Sequence, residues 1–417
     1  MVSRDELLNI WELVQAHLPA HFDVQRRARE RRAFLRKREV KDVASLFRLC
    51  MAYGGCGMSL KETCAWAEAV RLASLSEPSL LERLCKAAPW LGDIVAALIA
   101  QQTTVPAKRW TGYRLRALDA TSICQPGADR TTWRLHVGYD LASGQVDHIE
   151  LTDGHGAENL QRLTYRPGEI VLGDRAYARA RNLRLVKQDG ADFIVRMGWN
   201  ALRLKQADGS DFDLFATLHA QAGQEGEVKV RVDEDKGAPL ELRLVIWRKT
   251  PEQAEAEQKR LLKNAKKRGT KVDPRSLEAA KYVMLLTSLP ANLFPACDVL
   301  AIYRFRWQIE LAFKRMKSLA GLDELAAKDP ALAQAWIYAR LIVFLIAEQI
   351  AGQVPDSPPF GPSKARPRET HFKQTSHAKP LALADDQNGP CRDPPNHSRL
   401  AVAGRSRRPE GKPAALM

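Results

Sequence analysis

The sequence predicts a mixed α/β protein that begins with a helical region. Residues 1–105 show helical apolar periodicity interrupted by turn signals. Residues 113–198 change to short apolar strands separated by short helical segments. From Phe294 to Ile350 the periodicity is helical again. Strands mixed with helices favour one sheet covered by helices, so we expect an α/β core behind an N-terminal helical domain.

The N-terminal region, residues 1–105, is strongly basic over part of its length. Between Arg26 and Arg48 there are ten basic and three acidic residues. The segment MSLKETCAWAEAVRLASLSEPSLLERLCK follows and predicts two or three short helices, an order compatible with a helix-turn-helix. A solvated basic helix face would give the same composition. We interpret residues 1–105 as a helical DNA-binding region.

Residues 106–199 form the first part of the predicted core. The predicted strands are YRLRALDATSI, TWRLHVGYDL, VDHIELTD, EIVLGDRAY and DFIVRM. The segments AENLQRL and ARARNLRLVKQ are predicted helices between them. The order predicts a sheet that starts with hairpins and continues with strand–helix units.

Residues 200–277 predict a separate β-rich piece with a charged helix. Apolar residues alternate with charged ones from Val228 to Val232 and again from Leu240 to Leu244. The segment PEQAEAEQKRLLKNAKKRGTK predicts a helix that ends near Gly269. The core then resumes over residues 278–351 with the apolar strand KYVMLLTSL. Asp329-Pro330 predicts a helix start, with Asp as cap and Pro in the first turn.

Composition limits the partners of this 417-residue chain. A formal net charge of +15 favours a polyanion, with nucleic acid first and an anionic membrane surface second. The longest apolar run, WIYARLIVFLIAEQI, contains Arg340 and Glu348, so we expect no membrane span. We see no signal peptide, and the seven cysteines contain no CxxC pair, which predicts a cytoplasmic protein with reduced thiols and no zinc site.

The C-terminal segment differs from everything before it. Residues 351–417 hold 11 of the 23 prolines and have few large apolar residues. That composition predicts a disordered tail over residues 352–417. The abrupt change also suggests a frameshifted or truncated C-terminus.

The segment YRFRWQIELAFKRMK places one carboxylate among basic side chains. On a helix of roughly 100° per residue, four side chains fall within a sector of about 60°. They are Tyr303, Arg306, Glu310 and Lys317. An apolar stripe that includes Ile309 lies beside them. An ordinary amphipathic helix with an i,i+4 ion pair would also explain the pattern, if it stood alone.

Two further carboxylates stand at the ends of predicted strands. Asp119 follows YRLRAL, and Asp174 follows the apolar run 170–172 and one glycine. Each alone would be an ordinary turn residue. Together with Glu310 they supply the hard oxygen ligands that Mg²⁺ prefers. Two such ions about 4 Å apart assist phosphoryl displacement, and without metal the gathered carboxylates would repel one another.

The spacing Tyr303-x2-Arg306-x3-Glu310-x6-Lys317 resembles the YREK signature of DDE transposases of the bacterial insertion-sequence-four type. LDAT around Asp119 and GDRAY around Asp174 resemble the first and second acidic motifs of that family. The resemblance covers about residues 10–350. It implies a ribonuclease-H-like fold with a β-rich insertion before the glutamate. It further implies that Asp119, Asp174 and Glu310 are catalytic and bind two Mg²⁺ ions, with Mn²⁺ as a substitute.

The resemblance also implies cut-and-paste transposition and its partners. Water nicks one strand at the element end, the freed 3′-hydroxyl makes a hairpin, and the reopened end joins target DNA. By resemblance, Tyr303, Arg306 and Lys317 bind phosphates, and Trp307 packs against distorted DNA, with Trp199 and Trp247 as weaker stacking candidates. The partners implied are double-stranded DNA at terminal inverted repeats and target DNA. A homodimer is expected on synapsis, within the nucleoid.

Other interpretations remain open at this point. A catalytically silent DNA-binding remnant of a transposase would show the same basic surface. A carboxylate-pair hydrolase would leave the basic surface and the YREK row unexplained. The loop LTDGHGAEN offers His155, Asp153 and Glu158 as outside candidates for metal contact, although loop residues of this kind are mostly structural.

Overall fold

The computed structural model describes residues 4–101, 112–233 and 238–353. Residues 4–101, the described part of the N-terminal region, contain five α-helices, and a π-helical turn at Met51–Gly55 follows the third. They are α1 (Arg4–Ala16), α2 (Val24–Glu30), α3 (Val43–Cys50), α4 (Leu60–Ala69) and α5 (Glu77–Ala100). Side chains cap their starts, as where Ser59 and Glu62 form a reciprocal capping box on α4.

The described strands form a nine-stranded sheet of order β3-β2-β1-β4-β5-β9-β8-β7-β6. Only the pairs β1–β4 and β4–β5 are parallel. The strands are β1 (Arg114–Ile123), β2 (Trp133–Asp140), β3 (Gln145–Asp153), β4 (Glu169–Gly173), β5 (Asp192–Arg196), β6 (Leu204–Lys205), β7 (Glu225–Val232), β8 (Leu240–Arg248) and β9 (Tyr282–Thr287).

Seven further α-helices follow α5 within the described residues. They are α6 (Ala180–Gln188), α7 (Leu214–Ala220), α8 (Pro251–Arg268), α9 (Pro274–Ala279), α10 (Ala296–Arg304), α11 (Trp307–Ser318) and α12 (Pro330–Gln353). The N-terminal helices and α10–α12 share a core with one face, and α6, α7 and α9 pack on the other. Two predicted helix ends are confirmed: Asp329 caps α12, and α8 stops at Gly269, whose φ of 65° suits glycine.

A buried ion network holds the start of β1 against its neighbours. Arg114 and Arg116 bond to acids on three other segments, at distances of 2.6–3.1 Å. The acids are Asp140, Asp147 and Glu169. A polar cavity of about 510 Å³ lies beside this network. The acids already pair with two of its arginines, and none of the predicted catalytic carboxylates lines it, so we interpret the network as structural.

Several element predictions are wrong in an instructive way. The segment 303–317 is not one helix, because α10 ends at Arg304 and α11 starts at Trp307. AENLQRL contains only a single 3₁₀ turn at Leu160–Arg162, started by Asn159, whose side chain accepts from the Gln161 backbone. The predicted strand EIVLGDRAY stops at Gly173, because the Asp174 carboxylate accepts from the Ala176 backbone and starts another 3₁₀ turn.

The long-range organisation also differs from the expectation. Strands β6–β8, in the segment predicted as a separate β-rich piece, extend the same sheet through the pairing of β8 with β9.

The apolar run 336–350 belongs to a longer helix, and Pro330–Gly352 is long and apolar enough to cross a membrane by length and composition. Of its most apolar window, 61% is buried, and α12 contributes buried residues such as Trp336 to the core. The predicted tail starts at residue 352, but Gly352 and Gln353 still belong to α12, and the rest of the tail lies outside the described residues.

We predict that His136 makes the fold sensitive to acid. Its side chain is 3% exposed, and burial, followed by the charges of Arg162, Arg134 and His148, lowers its pKa to about 4. With an unfolded pKa of about 6.5, the folded chain binds fewer protons between these values, so stability present above pH 6.5 is lost as the pH falls toward 4. The loss amounts to about 3 kcal/mol.

The measurement is denaturant unfolding of the wild type and His136→Gln at several pH values. The glutamine keeps a hydrogen-bonding group for Thr152 but cannot titrate, so the wild type should lose its advantage as the pH falls. His155→Gln, at an exposed histidine, is the control. A difference between wild type and His136→Gln that stays constant with pH would contradict the assignment.

Candidate active site

Sheet register brings Asp119 and Asp174 to adjacent positions. Ala117 of β1 pairs in parallel with Leu172 of β4, and each carboxylate comes two residues later. Residues two apart in a strand share a face, and Asp174 is still extended, with φ −82° and ψ −167°. Neighbouring strands lie about 4.8 Å apart. Both carboxylates therefore lie side by side on the face that α10–α12 cover.

The junction of α10 and α11 directs the Arg306 side chain toward these carboxylates. The backbone NH of Phe305 donates to Ile302, and that of Arg306 donates to Tyr303, both at i−3 spacing. Such bonds tighten the chain into a 3₁₀-type turn. Arg306 becomes the residue just before α11, and Glu310 falls in the first turn of that helix.

Arg306 links carboxylates from the sheet and the helix. Its Nη1 donates to Asp119 Oδ2 at 3.1 Å, and its Nη2 donates to Glu310 Oε1 at 2.5 Å. Asp119 is completely buried, and its other oxygen accepts from the Ala120 backbone at 2.8 Å. The Glu310 side chain is 34% exposed. Asp119, Arg306 and Glu310 therefore meet within one hydrogen-bonded unit.

The electrostatics place Asp174 in the same cluster. Burial lowers the pKa of Arg306, but neighbouring groups outweigh burial and raise that pKa above its ordinary value. In order of effect these groups are Tyr303, Asp119, Glu310 and Asp174. Three carboxylates around one guanidinium leave the cluster formally negative, which suits a cation.

Tyr303 is buried in this structure, with its hydroxyl donating to the Gly173 carbonyl at 3.2 Å. That bond ties the end of α10 to the residue just before Asp174. The predicted role in gripping phosphate is therefore not visible in this arrangement, although the side chain adjoins the carboxylates. Gly173 as the acceptor gave no signal in the sequence.

Glu158 lies close to the cluster, while its loop neighbours do not act on it. Burial and then the charge of Asp174 raise the pKa of Glu158, and Arg134, 3.7 Å away, opposes the shift. Asp153 instead accepts from the backbone of His155 within its own turn, and His155 is exposed.

A further group that the sequence analysis missed is the Tyr177 phenol. Burial raises its pKa, followed by the charges of Asp119, Glu158 and Asp174.

The other predicted DNA-binding side chains are two residues of α11 and two tryptophans outside that helix. Trp307 is 50% exposed at the start of α11, and Lys317 is half-buried seven residues beyond Glu310. Trp247 lies under Arg304, whose guanidinium carbon is 5.9 Å from the ring centre. Trp199 bonds to Ser276 and is covered by Arg275, so it is engaged within the fold.

The donor set suits a divalent cation in kind. All three carboxylates offer hard oxygen ligands on a strand, a strand end and a helix. Within the described residues, however, no three His, Cys, Asp or Glu side chains are arranged to hold a metal ion. In this arrangement the Arg306 guanidinium donates to one oxygen of Asp119 and one of Glu310.

Comparison with known proteins identifies the family. The family model described as "Transposase DDE domain" matches residues 110–346, which is more than half of the chain and includes all three carboxylates. The chain therefore belongs to the DDE transposase family, of the insertion-sequence-four type. Proteins of this family generally use divalent metal ions.

Named relatives extend the similarity beyond the matched domain. The chain is 41% identical over 355 residues to the transposase InsL of insertion sequence element IS186A from Escherichia coli K12, covering 84% of this chain and 96% of that protein. The transposase of element IS421 from Escherichia coli is also 41% identical, over 356 residues, with the same coverage of both chains. That of IS231B from Bacillus thuringiensis is 25% identical, covering 82% of this chain and 80% of that protein.

A solved structure is also similar to this chain. It is the cryo-EM structure of the piggyBac transposase synaptic complex with hairpin DNA. The alignment covers 84% of this chain and 74% of that chain, with 9% identity and a TM-score of 0.41.

We predict that Tyr303→Phe destabilises the fold by about 1 kcal/mol, because the Gly173 carbonyl loses its donor. Chemical denaturation of wild type and variant measures the change. Tyr139→Phe removes a similar bond, to the Gly144 carbonyl, and is the matched control. If the Tyr303 hydroxyl instead meets DNA, Tyr303→Phe will weaken duplex binding while Tyr139→Phe will not.

Proposed function

We propose that this protein is a cut-and-paste transposase that cleaves DNA at the ends of its element and joins the freed 3′-hydroxyl to target DNA. The observation that carries the proposal is the meeting of Asp119, Arg306 and Glu310 beside Asp174. These residues come from three distant parts of a chain that belongs to the DDE transposase family.

Asp119, Asp174 and Glu310 are the proposed ligands of two divalent cations, Mg²⁺ with Mn²⁺ as a substitute. When bound, such ions activate the attacking oxygen and stabilise the leaving oxygen of a phosphoryl displacement. The burial of Asp119 fixes one ligand rigidly in β1, whereas the exposure of Glu310 leaves a side open for DNA. Hydrolysis breaks the bond between phosphorus and the 3′-oxygen of one strand, which leaves a 3′-hydroxyl and a 5′-phosphate. The 3′-hydroxyl then attacks a phosphate of the opposite strand, and the bond from that phosphorus to the 3′-oxygen of the flanking DNA breaks. The element end closes into a hairpin, and the flanking DNA leaves with a 3′-hydroxyl.

The surroundings of the cluster are proposed to hold the DNA. Lys317 on α11 and the guanidinium of Arg306 would bind phosphates, and the planar guanidinium can donate two parallel hydrogen bonds. Trp307 has exposed ring surface on which a displaced base can stack. Tyr303, whose hydroxyl donates to the Gly173 carbonyl in this structure, is the third proposed phosphate contact. The partners proposed are duplex DNA at terminal inverted repeats and target DNA, with a homodimer on synapsis and a cytoplasmic, nucleoid-associated location.

We further propose a ribonuclease-H-like core made of residues 106–199 and 278–351. The strand order β3-β2-β1-β4-β5, antiparallel and then parallel, supports it, as do an acid in the first strand and one after the fourth. Residues 200–277 are the proposed insertion, and residues 1–105 the proposed DNA-binding region. In the latter, exposed cations such as Arg36 and Lys37 lie beside an exposed Leu35.

The test is cleavage of a labelled duplex that carries the element's own terminal repeat, with Mg²⁺ and with EDTA. Asp119→Asn, Asp174→Asn and Glu310→Gln should each lower the rate by about 1,000-fold or more, because each removes a ligand charge worth several kcal/mol in the transition state. Glu324→Gln, at an exposed glutamate, and Asp153→Asn are controls that keep the wild-type rate.

Two results would contradict the proposal. Metal-independent nicking that survives in all three variants would remove the carboxylates from the chemistry. Salt-dependent duplex binding without nicking in any protein would identify a catalytically silent DNA-binding chain instead.

A further inference from the structure

We propose that Arg306 is a built-in cation that holds the carboxylate cluster closed, so that a divalent ion can bind only when the guanidinium leaves. The inference rests on the proposed function, because it concerns the same carboxylates. It adds a competition between a side chain of this protein and its metal.

The hydrogen bonds of Arg306 use the oxygens that a metal would need. Asp119 Oδ2 and Glu310 Oε1 accept from two nitrogens of one guanidinium. The second oxygen of Asp119 accepts from the Ala120 backbone, so both of its oxygens are engaged. The guanidinium lies between two carboxylates, and a divalent ion would be attracted to the same position.

Charge and burial make simultaneous occupancy unfavourable. The Arg306 side chain is 9% exposed and that of Asp119 is completely buried, so little water screens the pair. A guanidinium stays protonated at every accessible pH, so it cannot yield its place by losing charge. It must move, and the metal site opens only at the cost of its two charge-assisted hydrogen bonds.

The guanidinium can leave by a change of side-chain rotamer alone, with the backbone hydrogen bonds of Arg306 kept. Arg306 lies in the turn between α10 and α11, before the regular hydrogen bonding of α11 begins. Its partner Glu310 is 34% exposed, which gives the guanidinium a way out toward solvent on that side. A side chain that leaves by this route becomes available for the phosphate contact proposed above.

The test is Mn²⁺ binding to the full-length protein without DNA, followed by the electron paramagnetic resonance signal of free Mn²⁺. In Arg306→Gln the competing cation is gone, so we expect binding at least about tenfold tighter than in the wild type, equivalent to about 1.4 kcal/mol. Arg306→Lys keeps the charge but has no fork to join two carboxylates, and its affinity should lie between the two.

Arg304→Gln is the matched control, since it removes an exposed arginine two residues away that stacks near Trp247. Its Mn²⁺ affinity should stay within about threefold of wild type, the change that loss of one screened charge produces. Equal tightening in Arg304→Gln and Arg306→Gln would reduce the effect to net charge and overturn the inference. Weaker Mn²⁺ binding in both Arg306 variants would also overturn it, because Arg306 would then be arranging the ligands.

Asp119→Asn separates this inference from the proposed function. Mn²⁺ binding that does not depend on Asp119 would overturn both. Binding that depends on Asp119 but is not tightened by Arg306→Gln would overturn only the competition. Circular dichroism of each variant establishes that the fold is retained before the affinities are compared.

Discussion

A buried carboxylate needs a positive partner, and in this protein the pairing of Asp119 with Arg306 organises the rest. Asp119 has no exposed surface and would be costly to ionise alone. Arg306 supplies the charge from 187 residues further along the chain. The same guanidinium reaches Glu310, so one side chain joins the centre of β1 to the first turn of α11. Removal of either partner would leave an unbalanced buried charge, which typically costs several kcal/mol.

The sheet provides the frame within which that pairing is possible. The parallel register of β1 and β4 sets Asp119 beside Asp174, and Tyr303 fixes the end of α10 on the last carbonyl of β4. Strands β6–β8 extend the sheet beyond β9 and leave the pairing of β1 with β4 unchanged. The long stretch between Asp174 and Glu310 can therefore carry additional strands and α8 while the cluster stays intact. Among the described residues, the cluster is built on β1, the end of β4 and the junction of α10 and α11.

Local patterns in the sequence predicted much of the fold and named the carboxylates. Asp174 directly follows a strand and Glu310 lies on a helix, as their neighbours indicated. Asp119 was expected at a strand end but lies inside β1, because the strand continues to Ile123. The break at Phe305 was missed because apolar periodicity continues across it, and the change from i−4 to i−3 hydrogen bonds leaves no mark on composition. The strands of residues 200–277 were expected to form a piece separate from the core sheet. Their pairing with the core, through β8 and β9, joins residues far apart in sequence and leaves no local pattern.

The contacts that give the site its character were beyond sequence reasoning for a similar reason. The residues around Arg306 in the sequence do not indicate its ion pair with Asp119, and the helical wheel predicted a pair with Glu310 only. The closeness of Glu158 to Asp174 depends on how the loop after β3 returns to the sheet. The burial of Tyr303 follows from a carbonyl on a different strand. Residue types predicted the chemistry, whereas tertiary packing decided which groups meet.

The most direct test of the account is the position of Mn²⁺ in crystals of the protein, located by its anomalous scattering. The account predicts Mn²⁺ between Asp119, Asp174 and Glu310, with the Arg306 guanidinium displaced from Asp119. Mn²⁺ bound elsewhere, or bound while Arg306 still donates to both Asp119 and Glu310, would contradict it.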